Sequence, residues 1–175
     1  HRSIVAVPTL LTDAAEVDQL VESLEVRFLA NRGSNLSFAL VTDFRDAPAE
    51  TTDTDAALLA RAMAAIEALN AKYVTGDGEG FFLFHRARKW NPREGVWMGW
   101  ERKRGKLEEL NAALRGELSR FATVVGPVER LTGVKYVIVL DSDTQLPRDA
   151  ARLLAATMAH PLNRPWYDET RERVT

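Results

Sequence analysis

Val134-Lys135-Tyr136-Val137-Ile138-Val139-Leu140-Asp141-Ser142-Asp143-Thr144-Gln145-Leu146-Pro147 is an apolar, β-branched run that ends abruptly in two carboxylates. The run reads as a buried parallel strand. In open α/β sheets the C-terminal strand ends are where ligands bind. Two acidic side chains there suit a hard divalent cation, and such a cation suits phosphate.

Outward from that stretch the same alternation repeats. Ile4–Val7 is a first strand stopped by Pro8-Thr9. Val17, Leu20, Val21, Leu24 and Phe28 follow at helical spacing, up to the stop signal Asn31-Arg32-Gly33. Leu36–Val41 is a second strand ending in Thr42-Asp43, and Leu58, Leu59, Ala62, Ile66 and Leu69 mark a second helix. Gly76-Asp77-Gly78-Glu79-Gly80 is a turn before a third strand, Phe81–Phe84, which ends in His85-Arg86. Ala87 to Gly105 reads as irregular, with Trp90, Trp97 and Trp100 followed by Arg102-Lys103-Arg104 and Lys106. Leu107, Leu110 and Leu114 mark a third helix ended by Gly116, and a linker leads to the fourth strand. Pro147 opens a last helix carrying Leu153, Leu154 and Met158. Four strands alternating with helices predict a Rossmann-like parallel sheet with helices on both faces, formed by residues 1–175 as one domain.

Composition limits the function classes. The chain has 175 residues, 46% hydrophobic and 27% charged, enough for a real core. A net charge of −2 gives no basic field for nucleic acid. The absence of cysteine removes disulfides, thiolate zinc sites and cysteine nucleophiles, and fits a cytosolic setting. No apolar run is long enough to span a bilayer, and no signal-peptide pattern is read. A start at His1-Arg2, with strand almost at once, is expected of a fragment of a longer protein.

The motifs carry bland readings beside the functional ones. Asp-x-Asp occurs twice. Asp53-Thr54-Asp55 precedes a helix and is most simply a cap. Only Asp141 and Asp143 follow an apolar strand, where metal binding competes with capping of the helix at Pro147. Asp43 shares that sheet edge and is a strong acceptor for a base or ribose, or else a turn aspartate with Arg45 as partner. The bases at 102–106 oppose the dipole of the helix they start, a cost a bound anion would relieve. A solvated face is the alternative. The tryptophans anchor a long loop or stack on sugars. His85 and His160 lack ligand spacing and receive no role. Two look-alikes fail. The interval from Gly99 to Gly105-Lys106 is one residue too long for a P-loop, and Leu107 stands where Ser or Thr must bind magnesium. An aspartyl-phosphatase motif would need Thr where Gln145 stands.

Longer motifs add a resemblance. Trp97-Met98-Gly99-Trp100-Glu101-Arg102-Lys103-Arg104-Gly105-Lys106-Leu107-Glu108-Glu109-Leu110-Asn111 resembles the signature of cyclic β-1,2-glucan synthases. So do Leu140 to Arg148 and Met158-Ala159-His160-Pro161-Leu162-Asn163-Arg164-Pro165. The similarity runs from about Phe81 to Pro165, and more loosely from the first strand. It implies a glycosyltransferase A-type fold, C-terminally truncated, with UDP-glucose as donor and a growing β-1,2-glucan as acceptor. Mg²⁺ or Mn²⁺ would bridge the diphosphate to Asp143 and Asp141. Donor contacts are expected at Pro8, Thr9, Asp43, Arg102, Arg104, Lys106 and Asp141. The parent would be a multi-pass protein of the bacterial inner membrane with this soluble part on the cytoplasmic face, and the catalytic base is expected beyond Thr175. Asp168 and Glu169 are candidates by position only. A non-catalytic glucan-binding or assembly module, or an aspartyl-type phosphotransferase, is the alternative.

Overall fold

The computed structural model describes residues 1–74, 80–163 and 165–174. The expected turn at Gly76–Glu79, Arg164 of the last motif and Thr175 lie outside the described residues. The chain forms β1 (Arg2–Leu11), α1 (Ala14–Ala30), β2 (Leu36–Phe44), α2 (Asp55–Tyr73), β3 (Phe81–His85), β4 (Lys89–Asn91), β5 (Val96–Met98), α3 (Arg102–Ala113), β6 (Thr123–Val125), β7 (Val134–Val139), α4 (Ala150–Ala159), β8 (Tyr167–Asp168) and β9 (Arg173–Val174).

Five strands make one sheet in the order β6-β3-β2-β1-β7. β1, β2, β3 and β7 are parallel, and β6 runs antiparallel to β3. The fully parallel sheet expected from sequence is therefore corrected to a mixed one. β6 lies in the expected linker because three residues give too short a run to show a period. The chain steps outward from β1 to β2 to β3, then returns to place β7 on the other side of β1. That reversal leaves a crevice at the carboxyl ends of β1 and β7.

Period-two alternation assigns the faces. Val5, Val7, Phe38, Leu40, Phe81 and Leu83 pack against α1 and α2. Ile4, Ala6, Ala39, Val41, Phe82 and Phe84 pack against Leu110 and Ala113 of α3. Helices thus cover both faces, as the pattern predicts. Phe28 of α1 meets Phe81 and Phe38 edge-on, at 4.8 and 5.8 Å between ring centroids. Such pairs add about 0.5–1.5 kcal/mol each beyond area burial. Asp13 caps α1 by accepting from the Glu16 backbone N–H at 2.9 Å.

Several expectations change. β1 continues through Pro8 to Leu11. Ala6 O accepts from Leu140 N, so Pro8, two residues on, turns its ring nitrogen to the same side, past the end of β7. No ladder donor is needed there, which is why a proline is tolerated. The segment from Ala87 to Gly105 is not irregular throughout: β4 and β5 pair as a hairpin, Trp90 opposite Trp97. β7 is not a buried strand. It is an edge of the sheet, paired with β1 alone among the described residues, and most of it is half-exposed. α4 begins at Ala150 rather than Pro147, and Leu153, Leu154 and Met158 are exposed, with Ala151 as its buried residue.

Candidate functional site

The carboxyl ends of β1, β2, β3 and β7 bring Thr9, Asp43, Arg86 and Asp141 to one edge of the molecule. Asp43 lies at the centre and is 2% exposed. Its two oxygens accept from Arg86 Nε and Nη2 at 2.7 and 2.8 Å, a bidentate pair. Lys106, 4% exposed, reaches in from α3 to 3.3 Å from Asp43 Oδ2 and donates to Thr9 O at 2.5 Å. Glu109 stands 3.5 Å from Arg86 Nη1. Two acids and two bases thus neutralise one another out of water. Burial pulls the Lys106 ammonium below its usual pKa, and the Asp43 carboxylate opposes that shift. Gly99 lies directly over Asp43, so a methyl group there would overlap the carboxylate. The turn partner of Asp43 is thus Arg86, with Lys106 beside it, and not Arg45.

A cleft of about 410 Å³ opens beside this cluster, and Pro8, Thr9, Asp43, Arg102, Lys103 and Lys106 are among its lining residues. The basic run opens α3, whose first turn holds no acid. Glu101 and Arg102 enter it with left-handed backbone, φ 56° and 46°, a conformation that costs non-glycine residues energy. Arg102 donates to Glu94 at 2.7 Å and Asp46 at 3.2 Å on the rim. Lys103 pairs with Asp141. Arg104 points elsewhere, pairing with Glu108 along its own helix, and it does not line the cleft. Of the expected donor-side residues, Arg104 is the one the fold separates from the others.

Asp141 and Asp143 follow β7 in a loop, both exposed. Neither caps α4, whose Ala151 N–H is taken by Asn31 Oδ1 at 3.0 Å. The capping alternative for this pair therefore does not hold. Asp143 makes no hydrogen bond or ion pair among the described residues, and Asp141 meets Lys103. No group of three or more His, Cys, Asp or Glu side chains suited to a metal occurs among the described residues. A protein-only cage is thus absent there. Two carboxylates open to water fit a hard cation whose other ligands are phosphate oxygens and water. The second Asp-x-Asp behaves differently: Thr54 makes no side-chain cap, and Asp55 is buried against Arg88 at 2.5 and 3.1 Å. The expected cap is corrected to a buried ion pair.

His85, without a role in the sequence reading, is 1% exposed and shares a 2.9 Å hydrogen bond with Thr42 Oγ1. Burial pushes its pKa down to about 4, so it is neutral near pH 7. Asp168 accepts from Thr170 and Arg171 in its own turn. Trp90 and Trp100 are half-exposed. Another cavity, about 350 Å³, lies at the opposite strand ends beside Ser3, Leu36 and α4, away from the charged cluster.

Arg86 and Arg27 escaped the sequence reading, and Lys103 was read only together with its neighbours. Arg86 was visible as a base at a strand end. Lys103 was visible within the basic run but not separable from its neighbours. Arg27 continues the buried helical period from Val17 through Leu24, where a charge on an apolar stripe is itself a signal.

The fold is that of a Rossmann-like α/β domain, and this cleft lies at its topological switch point, where such sheets bind ligands. No protein-family profile matches the chain. The chain is similar to a segment of the cyclic beta-(1,2)-glucan synthase NdvB of Rhizobium meliloti (strain 1021), with 46% identity over 99% of the chain. It spans 6% of that protein's length. The similarity therefore extends well beyond the Phe81–Pro165 stretch in which the motifs are densest. No helix among the described residues is long and apolar enough to cross a membrane.

Proposed function

We propose that this chain is the donor-binding part of an inverting glycosyltransferase acting in cyclic β-1,2-glucan synthesis, and that its ligand is UDP-glucose. The observation that carries the reading is the convergence of Thr9, Asp43, Lys103, Lys106 and Asp141 on one crevice at the sheet's switch point. The similarity to the glucan synthase supports the choice of sugar.

In this reading the buried Asp43–Arg86–Lys106 cluster is the rigid floor on which the nucleotide rests. Arg102 and Lys103 are the mobile cations that leave Glu94, Asp46 and Asp141 for the diphosphate. Asp141 and Asp143 would hold Mg²⁺ or Mn²⁺, which supplies charge neutralisation for the departing diphosphate. Lys103, which pairs with Asp141, would give up that pairing to such an ion. The whole protein's localisation to the cytoplasmic face of an inner membrane, and its glucan acceptor, belong to the same proposal.

Calorimetric titration with UDP and UDP-glucose, with and without Mn²⁺, tests it. Metal-dependent binding is expected, weakened about tenfold or more by Asp143→Asn at unchanged melting temperature. Metal-independent or absent binding by the folded protein would overturn the site assignment. The exposure of Trp90 and Trp100 supports a second, non-catalytic reading as a glucan-binding module. It expects glucan binding without nucleotide or metal, lost in Trp100→Ala. Asp141 follows an edge strand, and Gln145 stands in the threonine position, which leaves the aspartyl-phosphate alternative without support.

A further inference from the structure

Arg27 lies on the inner face of α1 and is 5% exposed. It could fill that space as a leucine does, yet it carries a guanidinium into the protein interior. Its Nη2 donates to Ser142 O at 2.6 Å and Thr144 O at 2.8 Å, and its Nε donates to Thr144 O at 3.1 Å. Those two carbonyls flank Asp143. The guanidinium therefore grips the backbone on both sides of the acid and makes no hydrogen bond to the carboxylate itself. Burial lowers the Arg27 pKa, and the Asp143 charge opposes that shift, so the two groups sense each other without contact. Nη1 is buried with no partner, a cost that a residue serving packing alone would not carry.

Asn31, one helical turn on, extends the grip. Its amide donates to Leu146 O at 3.3 Å and its carbonyl accepts from Ala151 N at 3.0 Å. The loop between β7 and α4 is thus fastened to α1 at both ends, while its acids remain in water.

We propose that Arg27, assisted by Asn31, is a positioning residue that sets Asp141 and Asp143 for a divalent cation carrying a nucleoside diphosphate. This rests on the donor-site reading above. Arg27 touches neither ligand nor metal: it fixes the peptide frame from which the two carboxylates project and supplies a counter-charge behind them. Carbonyls as partners leave both oxygens of Asp143 for the ion, whereas a direct Arg–Asp pair would occupy them.

The test uses the whole chain and the variants Arg27→Gln and Arg27→Lys, with Mn²⁺ and UDP as probes. The reporter is exchange of the Thr144 amide hydrogen, which donates to Asp141 O at 3.0 Å. In Arg27→Gln the Mn²⁺-dependent gain in UDP affinity falls about tenfold or more, while metal-free UDP affinity stays within about twofold. Thr144 exchange speeds up about tenfold, and exchange in β2 is unchanged. Arg27→Lys keeps the charge without the fork and falls between. Unchanged metal gain together with unchanged Thr144 exchange overturns the proposal. So does exchange that rises equally in β2 and the loop in both variants, or failure of both to fold. If the unmodified protein shows no Mn²⁺-dependent gain, the donor-site reading fails, and the clamp is then judged on Thr144 exchange alone.

Discussion

Asp53-Thr54-Asp55 and Asp141-Ser142-Asp143 share a pattern and have opposite fates. Asp55 is buried, with Arg88 across it and the Thr52 N–H and hydroxyl on the same oxygens. Arg88 also lies over the Phe44 ring at 4.9 Å. Asp141 and Asp143 stand in water, and the loop that carries them is held by its carbonyls. An acid whose oxygens are spent inside the protein stabilises a fold. An acid whose backbone is fixed while its oxygens stay open can meet a ligand. Spacing does not distinguish the two; the disposition of partners does.

The sharpest way to break this contrast is by stability. Asp55→Ala strands Arg88 without a counter-charge and should cost about 3–5 kcal/mol in urea unfolding. Asp143→Ala should stay within about 0.5 kcal/mol. Equal costs would erase the distinction.

The buried side of the comparison also predicts a pH dependence. His85 lies among Asp43, Asp55, Arg88 and Lys106, with a folded pKa of about 4 against an ordinary 6.5. Between those values the unfolded chain holds the extra proton. Stability is therefore intact above pH 6.5 and falls as pH drops toward 4, by up to about 3 kcal/mol. His85→Gln should flatten that decline relative to the unmodified protein in unfolding midpoints measured across the range.

A smaller effect is expected at the cleft floor. Gly99→Ala pushes a methyl group into the Asp43 carboxylate and should cost about 1–3 kcal/mol, seen as a lower melting temperature. The smallest effect on stability belongs to the open side. Lys103→Ala removes an exposed ion pair with Asp141 and should change stability by less than about 1 kcal/mol. It should also reduce the salt sensitivity of UDP binding. Unaltered salt sensitivity would separate Lys103 from the ligand.

The sheet was legible in sequence wherever apolar runs were long. Ile4–Val7, Leu36–Val41 and Phe81–Phe84 alternate between two helix-covered faces, so apolar side chains fill these runs almost without a break, Ser37 excepted. The three-residue strands at 89–91, 96–98 and 123–125 were not legible, because their pairing is decided by tertiary contact and not by local pattern. Val134–Leu140 was correctly read as a parallel strand and wrongly read as buried. β-branched residues record the pleat, not the number of neighbouring strands. The placement of Asp43 and Asp141 on one edge followed from alternating topology, and that of Lys106 beside them from the resemblance. Whether a carboxylate there is buried with Arg86, as Asp43 is, or open, as Asp143 is, depends on side chains far away in sequence. Arg27 acts on carbonyls more than a hundred residues distant, beyond the reach of any spacing rule.

The turn from Gly99 to Gly105 has a consequence for how this chain can vary. Gly99 sits over the Asp43 carboxylate, and Gly105 sits against the Trp100 carbonyl and the Arg86 guanidinium. Between them Glu101 and Arg102 hold a backbone shape that glycine adopts at no steric cost. In a library of single substitutions scored for folding, the two glycines should be nearly invariant. The positive-φ positions should accept glycine readily and reject valine and isoleucine. By contrast, the exposed outer face of α4 should accept almost any polar change. Tolerance to mutation along this chain is thus set by where the backbone has no room, and the narrowest place is the wall of the cleft.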